Sequence, residues 1–294
     1  DRLAGQPPAA MNGETALLAA TAATRLGNLV TAEAHAPAAL SRFRARGDVD
    51  GRMRAVNLLG VIRFERGAPD EAEAAFADAL AAARRLDDTL MAARASNNLA
   101  TVLHLQGRPY EALGRYRQVL LDYQRLGDRR GTAETWHNIG IVQRQLGEWH
   151  EADAAATESL RHADLAGDRG MIGIAIAGKA ELDIERGDLE LAGLELERAG
   201  ELAQETGDEV GGVQVELLRA TIALRGGAFA AAIETALNTT ARTRALGVPL
   251  LEAEATAVAA RAARGLGAAE EAEQHRAQAV KLFTRWGAAA FLER

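Results

Sequence analysis

An all-α solenoid of about seven antiparallel helix hairpins is the fold this sequence predicts, and three observations predict it. Small residues recur every 40 positions, at Ala20, Gly60, Ala100, Gly140, Ala180, Ala220 and Ala260, and alanines recur in step at 32, 72, 112, 152, 192, 232 and 272. Glycines hold two further phases, one at 27, 67, 107, 147, 187, 227 and 267, the other at 47, 127, 167, 207, 247 and 287, with Asp87 as the only substitute. Between the glycines the apolar residues keep a helical spacing, and no insertion disturbs the register. A repeat of this length marks units that bury their apolar faces only by stacking on neighbours.

The third unit, 88–127, shows what each is made of. From Met91 to Gln106 the residues Leu99, Val102, Leu103 and Leu105 recur at helical spacing with no proline inside, which predicts a first helix, A. Gly107 breaks it as a residue beyond a helix C-terminus does, and Pro109 suits the first turn of a second helix, B, which runs to Leu126. Gly127 ends helix B, and Asp128 is placed to accept the free N–H groups of the next helix A. Helices of 14 and 18 residues are roughly 21 and 27 Å long.

Taken in order, the first unit (8–47) is the least typical, with a threonine-rich helix A and Pro37 inside helix B, which predicts a kink or a shortened helix there. An atypical end unit fits a face without a neighbour. Units two to four (48–167) follow the pattern most closely. The fifth carries Gly170, Gly173 and Gly178 in or beside helix A, and the sixth opens with Gly211 and Gly212. Interior glycines cost a helix about 1 kcal/mol each relative to alanine. They mark the fifth and sixth units either as a flexible junction or as a place of close helix contact. The seventh ends in KLFTRWG, and AAAFLER at 288–294 reads as the start of a further or capping helix. The opening DRLAGQPPAA, Pro/Gly-rich and without Met, reads as linker over 1–7 and as part of a longer chain.

With Ala93 as slot 1 of its unit, a small residue at slot 8, Gly at slot 15, Ala at slot 20 and a large residue at slot 24 (Phe76, Tyr116, Leu196) resemble the tetratricopeptide repeat, and Trp136 falls on that family's fourth-slot aromatic position. The family's late proline at slot 32 is replaced by Arg84, Gln124 and Asp164, as suits a helix B that continues. The resemblance covers 8–287 and implies a right-handed superhelical solenoid. The usual period is 34, so six more residues add roughly 9 Å of helix per hairpin. Long repeats of this kind are similar to those of kinesin light chain, of Leu-Gly-Asn-repeat spindle adaptors and of bacterial sensor domains. The ending of the seventh unit is similar to bacterial signalling proteins that join a repeat region to an NTPase or kinase module.

Composition narrows the function. A formal charge of −7 argues against a general nucleic-acid or membrane-surface binder. All but Lys179 and Lys281 of the 34 basic residues are arginine, and cysteine is absent, which removes disulfides and thiolate metal sites and is compatible with a cytoplasmic setting. No apolar run approaches the ~18 residues of a membrane span. GDRGMIGIAIAG at 167–178 lacks the Lys-Ser/Thr ending of a phosphate loop and any preceding strand. His150-Glu151 lacks a second histidine, with Ala154 in its place. Glu190, Glu195 and Glu197 read as a solvated helix face. No enzyme, metal or cofactor is predicted.

Function then falls to the inner stripe that the resemblance assigns to helix A. Slots 2, 5, 9 and 12 share a helix face. In units two to four they carry Arg54, Asn57, Arg94, Asn97, Thr101, His104, Glu134, His137 and Arg144, with Asn98 and Asn138 beside them. In the fifth and sixth they turn smaller and more apolar, with Ile174, Ala177, Ile184, Leu217 and Leu224. Asparagine both donates and accepts, so it can pair with the backbone of an extended segment, and the arginines can hold carboxylates. In kinesin light chain and the spindle adaptors, asparagines at matching positions grip a peptide, which the resemblance carries to Asn57, Asn97, Asn98 and Asn138. The pattern fails at His137 and from Ala177 onward. The other reading is that these asparagines bond only to the adjacent repeat or to water. Two functions follow: a scaffold holding a protein or peptide segment of acidic character, or a sensor whose apolar repeats five to seven bind a small molecule and control an effector domain outside this segment. A structural spacer is the third.

Overall fold

The computed structural model describes residues 11–25 and 28–285. Gly27, Gly287, the expected linker at 1–7 and the expected further helix at 288–294 lie outside the described residues. Those described form fourteen helices: α1 (Gly13–Arg25), α2 (Leu29–Arg46), α3 (Val49–Glu65), α4 (Pro69–Arg85), α5 (Thr89–Leu105), α6 (Pro109–Leu126), α7 (Arg129–Gln145), α8 (Trp149–Ala166), α9 (Arg169–Arg186), α10 (Leu189–Thr206), α11 (Glu209–Arg225), α12 (Phe229–Leu246), α13 (Pro249–Gly265) and α14 (Ala269–Arg285). They pack as seven consecutive hairpins, odd-numbered helices being A and even-numbered B.

The ends of the helices follow from the sequence phases. Asp48, Asp88, Asp128, Asp168 and Asp208 each accept from the backbone N–H three residues on, at 2.8–3.0 Å, which starts α3, α5, α7, α9 and α11. Both glycine phases sit at φ between +64° and +90°, the left-handed conformation in which a helix ends at least cost to glycine. Asp87, the substitute in that phase, is the one non-glycine at positive φ among the described residues, at 52°. Asp87→Gly removes a side chain from that region and should raise stability by up to about 1 kcal/mol, read from the urea midpoint. Pro37 departs from expectation: α2 runs its full 18 residues through it. Its side chain is exposed, as is Glu33, the residue whose carbonyl loses its helical donor.

The stack curves because helix A of each repeat also touches helix A of the next, while no comparable contact joins successive B helices. The A helices therefore lie on the inner side. Packing between repeats alternates in volume. Phe43 of α2 lies over Gly51 and Tyr123 of α6 over Gly131, where an added Cβ would come within 2.7 Å of the tyrosine ring. At the same two positions between repeats two and three and between four and five, Ala83 meets Met91 and Ala163 meets Met171. Large faces small in either order. At the junction of repeats five and six both partners are small, Ala203 and Gly211, and a crevice lined by them, Gly170, Gly173 and Ala199 remains.

Of the fifth-repeat glycines, two sit in close contact. A Cβ on Gly173 would lie 3.3 Å from that of Leu202, and one on Gly178 would lie 3.0 Å from His137 Nδ1. Gly212 faces open space, and no contact accounts for it.

The array is not open from end to end. Leu105 of α5 shares one apolar cluster with Ala253 of α13 and with Ala279 and Phe283 of α14. Phe64 of α3, Leu250, Ala257 and Leu282 pack against the same cluster. A Cβ on Gly247 would lie 3.9 Å from Leu29 Cδ1, so the turn before α13 meets the start of α2. The last repeat thus closes back on the second and third, and the turn before it on the first.

Candidate functional site

The inner stripe of repeats two to four is built by α3, α5 and α7, and its side chains are tied into rungs between repeats. Asn98 Nδ2 donates to Asn57 Oδ1 at 3.4 Å. Asn97 is 3% exposed; its Nδ2 donates to Glu134 Oε1 at 3.4 Å and its Oδ1 accepts from Thr135 Oγ1 at 3.4 Å. Thr101 shares a 2.8 Å hydrogen bond with the buried Tyr116 hydroxyl, and His104, also buried, is bonded to Gln145 Oε1. The phenol of Tyr116 is pushed far up, mainly by burial.

The arginines divide. Arg54 is held by Glu14 at 2.5 Å and by Asp50 at 2.9 Å, which, with the hydrogen bond to Glu14 leading, raises its pKa. Arg144 pairs with Glu181 of the next repeat. Arg94 is exposed and near enough to Glu134 to act on its charge without a close ion pair. Glu134 keeps solvent contact, yet desolvation by the surrounding wall raises its carboxyl above the usual range, with Arg130 and Arg94 pulling the other way. His137 is pushed down to about 4 by desolvation, so its imidazole is neutral at pH 7. Asn138 is half-buried.

All eleven residues read from the sequence therefore lie on or beside one stripe, but not with one role. Arg54 and Arg144 are already neutralised by carboxylates. Phe64 and Ala257, also stripe positions, are in the closing cluster with repeat seven. The partners Glu14, Thr135, Gln145 and Glu181 were missed. They stand 37 to 41 residues from their mates, so reading the stripe across rungs at that offset would have found them. Among the described residues, no group of three or more His, Asp or Glu is placed to hold a metal, and no helix is long and apolar enough to cross a membrane.

Fold and stripe together define a helical-hairpin repeat protein that presents a polar inner surface. Residues 91–164 match the tetratricopeptide-repeat family, and helix hairpins of the same kind recur through the described residues on either side. No curated protein matches the sequence. Solved structures do match its fold. The Rap conjugation gene regulator of plasmid pLS20, in complex with the Phr* peptide, is 15% identical with a TM-score of 0.76, over 93% of this chain and 76% of that one. A Rap protein complexed with competence and sporulation factor is 14% identical with a TM-score of 0.63, over 96% of both chains. A signal-transduction ATPase with a tetratricopeptide-repeat sensor, from Pyrococcus horikoshii, is 13% identical with a TM-score of 0.57, over 96% of this chain and 43% of that one. At these identities the likeness is one of fold.

Proposed function

We propose that this chain is a non-enzymatic scaffold that holds a peptide or protein segment against the inner face of repeats two to four, within a larger bacterial signalling or regulatory protein. The observation that carries this is the set of inner side chains with hydrogen-bonding capacity left over: Arg94, the Asn57 amide donors, the Asn98 oxygen, both ends of Asn138 and the second Glu134 oxygen. Two proteins of similar fold are complexes, one with a peptide and one with a competence and sporulation factor, which agrees with this reading. The expectation of an acidic partner is revised, because Arg54 and Arg144 are engaged within the chain. Arg94 beside Glu134 suits a segment of mixed or low charge whose backbone carries the recognition.

Asn97 is a poor position for the test, since it is buried between Glu134 and Thr135 and its loss would disturb the rung itself. Arg94→Glu combined with Asn138→Ala should weaken binding to an array of random 12-residue peptides at least tenfold and leave helical circular dichroism unchanged. Equal binding by the folded variant would remove the inner face as the site.

The second reading, a sensor controlling an attached effector domain, is favoured by one observation, the fold likeness to the sensor-bearing ATPase. It places the ligand at the smaller, apolar stripe of repeats five to seven.

A further inference from the structure

The closure of the last repeat onto the second and third rests on few side chains, and two of them are inner-stripe positions. Phe64 and Ala257 are both packed against the cluster that Leu105 forms with Ala253, Ala279 and Phe283. Any molecule running the length of the inner face would need the space these two occupy. We propose that this contact is a releasable seam that gates the inner face. Repeat seven lies against repeats two and three when the face is empty and parts from them to admit a segment.

The place where the solenoid bends to open is fixed by its packing. Phe43 over Gly51, Tyr123 over Gly131, Met91 against Ala83 and Met171 against Ala163 each lock one repeat into the next with a large side chain. Between repeats five and six both of these positions are small, and the large side chains that cross this joint, Leu196 of α10 with Val215 and Leu218 of α11, lie further along it. Ala203 meets Gly211, Gly170 and Gly173 line the same crevice, and a wider groove follows the joint among α10, α11 and α12. A crevice left at this position gives the joint free volume to shift into, because packed interfaces hold position by filling volume. Repeats six and seven therefore swing as one arm about this joint, and the seam is the arm's resting contact. Phe64 and Leu250 remain partly exposed at its edge, where water can follow as it parts. The device does not depend on what the inner face holds.

The absence of cysteine makes the test direct, since one introduced thiol is the only reporter. Ala257→Cys places it in the seam and Asn138→Cys places it on the inner face of repeat four, outside the cluster. Each is treated with a 5-kDa maleimide-polyethylene glycol, with and without Leu105→Ser. The seam thiol should react at least tenfold faster when Leu105→Ser is present, and the Asn138→Cys thiol at the same rate in both. Phe64→Ser, at a partly exposed position, repeats the comparison should Leu105→Ser lower the helical content. Equal rates at Ala257→Cys with the seam intact and replaced would overturn the proposal. So would equal acceleration of both thiols, which would mean general loosening.

Discussion

Gly131→Met alone destabilises the protein by about 1–3 kcal/mol, Tyr123→Ala alone by about 3–5 kcal/mol, and the two together by far less than their sum. The glycine is there because Tyr123 is: a Cβ at 131 would stand 2.7 Å from the tyrosine ring, so a side chain added alone overpacks the junction. The tyrosine, 4% exposed and packed on Ala93 and Val119, leaves a cavity when removed alone. Combined, the changes reproduce the Ala–Met pairing already present between repeats two and three and between four and five. The coupling should reach about 2–3 kcal/mol in favour of the pair, at the upper end for residues in contact. Urea midpoints of the four proteins measure it. Additive losses would show that the alternation along the chain is not a packing rule.

Glu195→Gln stabilises the protein above pH 7 and leaves it unchanged near pH 4.5. Glu195 lies between α9 and α10 with its side chain 16% exposed; burial first, and then the neighbouring Asp183, raise its carboxyl to about 7. Lys179, 3.7 Å away, offsets this only in part. The folded chain therefore keeps a proton that the unfolded chain releases near 4.5, and stability falls as pH rises from there through 7. Glutamine carries no charge to desolvate and can donate to Asp183, so the gain at pH 8 should be about 1–3 kcal/mol. Melting temperatures of both proteins at pH 4.5 and 8 check it; an equal gain at both values would place the cause elsewhere. Glu65, raised to about 7 by burial alone, acts in the same direction.

The backbone plan was legible because its signals are local. A glycine forced to positive φ, an aspartate three residues before a free N–H and a proline at a first turn each act within one turn of the chain, so the phases at 47, 67, 87 and 107 give the helix ends directly. Pro37 misled because proline's cost depends on where the orphaned carbonyl points, which is set by tertiary packing. The inner stripe was legible as a face, since helical periodicity fixes faces. It was not legible as a set of pairs: Arg144 with Glu181, or Asn97 with Glu134, depends on how far one helix A is shifted against the next. The volume alternation of Phe43, Ala83, Tyr123 and Ala163 with Gly51, Met91, Gly131 and Met171 was present in the sequence and needed only reading at an offset of eight. The contact of Phe64 and Leu105 with repeat seven was not, because curvature accumulates over the whole array and no pair of windows records it.

One measurement bears most directly on the central idea that the inner face of repeats two to four holds another molecule. A photo-crosslinking benzoylphenylalanine is introduced in turn at Asn138, on the inner stripe, and at Gln118, exposed on helix B of the third repeat. Irradiated in extracts of the source organism, the Asn138 probe should form a discrete adduct that Arg94→Glu abolishes, and the Gln118 probe should form none. Adducts from Gln118 alone, or of equal yield from both positions, would contradict it.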